Sequence, residues 1–318
     1  MKQQNIAAEI VDRLIDYAKS NKCDPLRLPP SKVPITVSNT DFEPETFVLL
    51  ISDLQAGHLT ETFNFDVLKD RMHKLVERTL RITALHRKSH AIPTLEIFLL
   101  GDLVHGENVG HTVDLNEIED TVKVQMYDVV IPLLEWAIAE FAQNFAQVNI
   151  RCVRGNHGRV SKVNAITTNW DDMCYYTLRS IFRQVDNVKF SIAKRFFQHV
   201  NVNGTRFLLA HGDQINMYLN IPLYGLTNRS MRWQDTLGRF DVMTVGHFHN
   251  FAQMDWNHTQ IIVNGCFVTD DEWVAKVLGL SGSCSQTLMS VHPKKGITFT
   301  SKIHLTDGAP EPTNEVEE

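Results

Sequence analysis

The sequence predicts a layered α/β fold with two sheets, and two observations predict it. In the first half of the chain, apolar strand-like runs alternate with helical periodicity in the order β, α, β, α, β, the signature of a sheet covered by its crossing helices. In the second half, short alternating runs succeed one another with little helix between them, so they are expected to pair among themselves in a second sheet.

In chain order, residues 5–19 space their apolar side chains on one helix face, which predicts an amphipathic helix and not a secretory signal. Residues 22–44 hold prolines at 25, 29, 30, 34 and 44 and lack periodicity, so residues 1–45 read as a helical appendage on a linker. FVLLIS (47–52), IFLLG (97–101) and NIRCVRG (149–155) read as strands. Helical periodicity covers 66–87, 116–144 with Pro132 inside it, and 170–182. HVNVNGTRFLLAHG then carries Asn203-Gly204 between two alternating runs, the residue pair of a two-residue hairpin turn. Further strands are expected at 241–247, 261–267, 287–292 and 297–305, giving a domain over 46–306. Residues 307–318 are acidic and poor in apolar side chains, and are expected to be disordered.

Charge weighs against one class of function. With 31 basic and 37 acidic residues the net charge is −6, so no global positive field recruits nucleic acid or an anionic membrane. That argues against a simple DNA-coating protein but not against an enzyme acting on DNA, because site metals can reverse the local field and a basic patch can be small. Cysteines at 23, 152, 174, 266 and 284 are scattered and form no CxxC pair. They read as reduced thiols of a cytoplasmic protein, and no apolar run is long enough for a membrane span.

The residues that can do chemistry stand at the ends of the apolar runs. Asp53 ends the first, Asp102 the second, Asn156-His157 the third, His211 the run FLLA, and His247 and His249 the run VMTVG. Taken singly, each is an ordinary turn residue or a hydrogen-bonded histidine. Jointly they are metal-capable groups at successive strand ends, which layered α/β folds bring to one crevice. Carboxylates, an amide oxygen and imidazoles without a thiolate suit Mn²⁺, Mg²⁺, Fe²⁺ or Zn²⁺, and the oxygen donors favour Mn²⁺.

The series Asp53-x-Gln55, Gly101-Asp102, Gly155-Asn156-His157, His211 and Gly246-His247-Phe248-His249 resembles the calcineurin-like metallophosphoesterase superfamily, whose pattern is D-x-H, G-D, G-N-H-[DE], H and G-H-x-H. The resemblance implies a two-sheet β-sandwich flanked by helices, four layers α/β/β/α. It implies two divalent metal ions, the first held by Asp53 and His249, the second by Asn156, His211 and His247, with Asp102 bridging. His157 is then the leaving-group residue, as general acid or charge partner, in a hydrolysis begun by metal-bound hydroxide.

Two positions depart from the family. Gln55 replaces a histidine, so either its carbonyl completes the first metal site as a weaker donor or His58 does; the spacing from Asp53 favours Gln55, and the first metal is then the more labile. Arg159 stands near the place of an acidic residue and is expected to face substrate phosphate, the alternative being a solvated arginine beside Lys162. The segment GDLVHGEN (101–108) further resembles the G-D-L-F-H segment of SbcD-type DNA-repair nucleases, which makes His105 a second catalytic residue. The whole has the look of phage- or prophage-encoded relatives.

The expected substrate is DNA or another phosphodiester; the alternatives are nucleotides or small phosphoesters, and a non-catalytic module. Arg151, Arg154, Arg159 and Lys162, with Arg229, Arg232 and Arg239, are candidates to track a nucleic-acid backbone. Trp233 and Trp273 are candidates for base stacking or for the core, and residues 270–286 for a cleft-side loop or a contact with a second copy of the chain.

Overall fold

The computed structural model describes residues 26–29, 31–33, 43–107, 118–160, 168–218, 221–269 and 284–307. The expected amino-terminal helix, most of the linker, the tail beyond 307 and the 270–283 stretch lie outside them.

The first strand decides the architecture. β1 (Thr46–Ile51) is buried along its whole length, and its alternating side chains feed two cores. Phe47, Leu49 and Ile51 pack under the helices, while Val48 and Leu50 pack against the second sheet. β2 (Thr94–Leu99), β3 (Gln147–Cys152) and β4 (Val188–Ile192) continue the sheet in parallel beside it. Three helices cover its outer face: α1 (Phe65–His86), α2 (Ile131–Asn144) and α3 (Trp170–Ile181). In α1 the buried positions 68, 71, 72, 75, 76, 79 and 83 make one stripe, and Asn64 caps the helix by accepting from the Val67 N–H. Pro132 sits at the start of α2 after a π-helical turn, Gln125–Val130; a proline has no N–H to give and crowds the preceding turn, so the ladder widens ahead of it.

The second sheet has the order β5-β6-β7-β9-β8, from β5 (Phe197–Val202), β6 (Thr205–Ala210), β7 (Val242–Val245), β8 (Ala252–Trp256) and β9 (Thr259–Val263). Asn203 and Gly204 turn the β5–β6 hairpin with φ of 49° and 87°, as their identity requires. Its outer face packs on α4 (Pro222–Thr236) through Leu226 and Trp233. The four layers α/β/β/α are thus present.

The expected strand partition needs correction. β10 (Ser285–His292) and β11 (Gly296–His304) belong to the first sheet, in the order β11-β10-β1-β2-β3-β4, with β10 antiparallel to β1. The alternation of β10 supplies Leu288 to the helix-side core and Met289 and Val291 to the inter-sheet core, so either sheet would accept its pattern. β4 and β8 escape prediction because most of their residues are incompletely buried. α4 escapes it because only Leu226, Ser230 and Trp233 of its residues are buried. Among the described residues no helix is long and apolar enough to cross a membrane.

Parallel strands β1, β2, β3, β6 and β7 all end at one edge of the sandwich, and a buried polar network bonds the sheets together there. Gln286 Oε1 accepts from the Ser52 N–H at 2.9 Å and from Asn264 Nδ2 at 2.7 Å; Asn264 Nδ2 also reaches Ser52 Oγ at 2.9 Å. Gln286 Nε2 donates to the carbonyl of Gly265 at 3.2 Å, and Thr287 Oγ1 to Asn264 Oδ1 at 2.9 Å. Every side chain in it is buried. Gln286→Leu strands the Ser52 N–H and part of the Asn264 amide, and should destabilise the protein by about 3 kcal/mol in urea unfolding, since each buried unsatisfied group costs roughly 1–3 kcal/mol. A loss below about 1 kcal/mol would show that the network is not what fixes this edge.

Candidate metal centre

At this edge the backbone is strained where the candidate ligands sit. Seven described non-glycine residues have positive φ, and five of them are Asp53 (54°), Gln55 (44°), Asp102 (53°), His247 (69°) and His249 (58°). The other two, Asn203 and Asn257, are turn asparagines. Left-handed conformations cost non-glycine residues on the order of 1–3 kcal/mol each and persist where surrounding structure imposes them. Close approach is imposed too: a Cβ on Gly155 would overlap the Asp102 carboxylate, and one on Gly246 would lie 2.6 Å from Asp53 Oδ2. Glycine before Asn156 and before His247 is therefore a packing requirement.

Buried acceptors confront one another at the centre. His211 Nδ1 donates to the Leu100 carbonyl at 2.8 Å, which leaves a lone pair on Nε2 of the neutral ring. That atom lies 2.9 Å from Asp102 Oδ2 and 3.0 Å from Asn156 Oδ1, and Asp102 Oδ2 is buried with no hydrogen-bond partner. Three acceptors in contact require a cation between them, either a proton or a metal ion. Asp102, His211 and His247 bring ligand atoms within 4.8 Å of one another, and their mix of carboxylate and imidazole fits a divalent ion.

The electrostatics record the same demand. Burial pulls His211 down, but the carboxylates of Asp102 and Asp53 outweigh it and push its pKa up to about 10. Burial raises Asp102, yet His211 and His157 overcome it and hold the carboxyl well below the usual range. Burial drives Asp53 up to about 7, although both its oxygens accept from the His247 N–H at 3.1 Å. His249 Nε2 stands 3.6 Å from Asp53 Oδ1, and burial lowers His247 to about 3.

Gln55 reaches the Asp53–His249 side, with its amide nitrogen 3.1 Å from His249 Nε2 and 3.3 Å from His157 Nε2. Its oxygen accepts from His58 Nδ1 at 3.3 Å, so His58 partners Gln55. His105 is buried, stacks on His58 at 4.3 Å, and has no hydrogen-bond partner at either ring nitrogen. Burial lowers it to about 2, so it is neutral at any working pH. The His105 carbonyl accepts from His157 Nδ1 at 3.1 Å, with the rings 5.1 Å apart.

The expected basic rim is largely taken up. Arg154 is buried in an ion pair with Asp172, Arg151 pairs with Glu96, and the half-exposed Arg159 pairs with Asp213. Arg229 donates to the Gln214 carbonyl and covers the ring of Trp233, which is a core residue. Arg232 and Arg239 are exposed; Lys162 and Trp273 lie outside the described residues. A cavity of ≈ 620 Å³ lies by Thr205, Asp241, Val242 and Lys294, at the opposite ends of β6 and β7, and holds none of the candidate ligands.

Sequence reading missed Asp171, which ties together the loops that carry Asp102 and Asn156. Its buried carboxylate accepts from the N–H groups of Asp102 (3.1 Å), Leu103 (3.0 Å) and Gly155 (2.8 Å). Burial, reinforced by Asp102, lifts its pKa to about 6. Asn169 caps α3 on the Asp171 N–H and donates to the Gly155 carbonyl at 3.0 Å. Asn169 ahead of two aspartates is legible as a helix start; its reach to two distant loops is not.

A proton and a metal ion would compete for the same place at His211. Because its pKa is raised, the His211 proton contributes stability to the metal-free protein that is complete below 6.5 and lost as pH rises through about 10. A metal ion at the same place displaces that proton. Mn²⁺ titration calorimetry at pH 8, in buffers of differing ionisation heat, should show about one proton released per tight ion; no release would remove His211 from the ligand set.

Residues 48–267 match the family model described as calcineurin-like phosphoesterase. Solved structures with a similar course include an archaeal phosphodiesterase, 13% identical over 80% of this chain and 99% of that one with a TM-score of 0.37. Vps29 from Entamoeba histolytica, complexed with zinc, is 11% identical over 82% and 99%, with a TM-score of 0.37. The hypothetical protein PH1004 from Pyrococcus horikoshii is 7% identical over 81% and 87%, with a TM-score of 0.40. No curated protein matches. The family match covers more than half of the chain and contains every candidate ligand from Asp53 to His249: the chain belongs to the calcineurin-like phosphoesterase family, hydrolases of phosphoesters that depend on divalent metals.

Proposed function

We propose that the protein is a metal-dependent phosphodiesterase whose substrate is DNA. The observation that carries the reading is the confrontation of Asp102, Asn156 and His211 acceptors beside a second layer of histidines, His157 and His105. Asp53, Gln55 and His249 would hold one ion and Asn156, His211 and His247 another, with Asp102 shared; the oxygen donors favour Mn²⁺. Bound there, the ions supply Lewis acidity toward phosphoryl oxygens and a water of lowered pKa.

The chain's own groups do the rest. The Asp102 carboxylate accepts from the His157 N–H at 2.8 Å, and the bond from His157 Nδ1 to the His105 carbonyl fixes the ring. With Nδ1 so held, His157 Nε2, which in the described arrangement meets the Gln55 NH₂, would in the imidazolium form, freed of that amide, give its proton to the leaving oxygen. Neutral His105 positions the diester, and its place in GDLVH, similar to the SbcD-type nucleases, supports DNA. Arg159 would leave Asp213 for a substrate phosphate. The occupied arginines favour a second reading, hydrolysis of nucleotides or other small phosphoesters, for which no backbone-tracking rim is needed.

Mn²⁺-loaded protein should cleave labelled DNA and bis-p-nitrophenyl phosphate. His157→Ala should lower kcat by about 10²-fold or more with its metal content unchanged. Cleavage of DNA should weaken steeply between 50 and 200 mM salt, whereas a mononucleotide responds little. Small phosphoesters hydrolysed with DNA untouched would overturn the substrate assignment, and a metal-loaded protein silent on both would make this a binding module. Arg159→Ala should raise KM for the diester about tenfold, as loss of a bidentate phosphate contact does; an unchanged KM would return Arg159 to a surface role.

A further inference from the structure

Gln55 stands where the family has a ligand histidine, and its hydrogen bonds turn the wrong end of the amide toward the metal centre. Its nitrogen is directed at His249 Nε2 and His157 Nε2, at 3.1 and 3.3 Å, and its oxygen is held by His58 Nδ1 at 3.3 Å. An amide NH₂ is a donor of two hydrogen bonds and offers no lone pair to a cation. In this arrangement the Asp53–His249 half lacks a donor at position 55, and Gln55 holds the nitrogens of His249 and His157 instead. On the other half Asp102, His211 and Asn156 already face one another.

We infer that the two metal sites are unequal and that His58 sets the difference between them. Asp102, Asn156, His211 and His247 would hold the first ion. Asp53, His249 and Gln55 would hold the second only once the Gln55 amide turns over, which would bring its oxygen into the site and give up the bond it accepts from His58 Nδ1. His58 acts here as a positioning residue: it is buried, and its stack on His105, at 4.3 Å and 19°, fixes the ring plane that presents Nδ1 to Gln55. Turning Gln55 also withdraws its NH₂ from His157, so filling the second site releases the leaving-group histidine. This inference rests on the proposed metal centre.

The test is a Mn²⁺ titration of metal-free protein, monitored by calorimetry and by electron paramagnetic resonance, in which two ions sharing a carboxylate give a spin-coupled spectrum. Wild type should bind one ion tightly and a second at least about tenfold more weakly, the scale on which residues behind a ligand alter metal affinity. Gln55→His should bring the two affinities together and give the coupled spectrum at two equivalents. His58→Phe, which keeps a ring on His105 but removes the hydrogen bond, should tighten the second site severalfold and leave the first unchanged; His58→Met serves if that variant does not fold. Two equally tight sites in wild type, or a second site unmoved or weakened by loss of His58, would overturn the inference. A wild-type protein that binds no Mn²⁺ tightly would instead overturn the metal centre itself.

Discussion

One buried carboxylate, Asp102, organises the molecule. Fully sequestered at the end of β2, its Oδ1 holds the His157 backbone and its Oδ2 is aimed at His211. Its own N–H is held by a second buried carboxylate, Asp171. The Asp102 charge so close by raises the proton affinity of Asp171, and two buried carboxylates call for compensating positive charge. The nearby guanidinium of Arg154 is committed to Asp172, leaving the histidines to carry protons or to yield to metal ions. A net charge of −6 would therefore not oppose the proposed polyanionic substrate at this edge, where bound cations would set the local field.

Such a site is unstable in isolation and has to be held by its frame. Left-handed backbone at five candidate-ligand positions and the near-contact of Gly155 with Asp102 survive because both sheets end there and are bonded to each other. The Ser52–Asn264–Gln286 network lies directly beneath Asp53, and Asp171 joins the loops after β2 and β3. Two apolar cores on either face of β1 supply the stability against which this strain is set. Rigid strand ends and strained loops are thus one device: the former fix positions to which the latter turn their side chains.

Sequence alone revealed whatever depends on short-range pattern. The buried run of β1, the Asn203-Gly204 hairpin and the ordered series from Asp53 to His249 are local signals. They indicate the fold class and place the candidate ligands at one edge. Partnership over long distance was hidden. Nothing in TLMSV says that β10 pairs with β1, because its alternation suits either sheet. Nothing around Arg151 or Arg154 distinguishes a backbone-tracking arginine from one paired with Glu96 or Asp172. Asp171, Gln125 and Gln286 act through hydrogen bonds to loops far from them in sequence, and a helix cap or a strand glutamine carries no mark of such a partner.

The substitution at position 55 is legible in sequence, but its consequence belongs to a closed circuit. Gln55 bonds His58, His58 stacks on His105, the His105 carbonyl accepts from His157 Nδ1, and His157 Nε2 meets Gln55 again. A histidine at position 55 would need no such circuit, since an imidazole can ligate without an orienting amide flip. A glutamine has two unlike ends, and which end faces the centre is decided by its neighbours. On the proposed reading the circuit would therefore make metal occupancy and the state of His157 a single variable. A change at His58 or His105, neither of them among the candidate ligands, would then act on both at once.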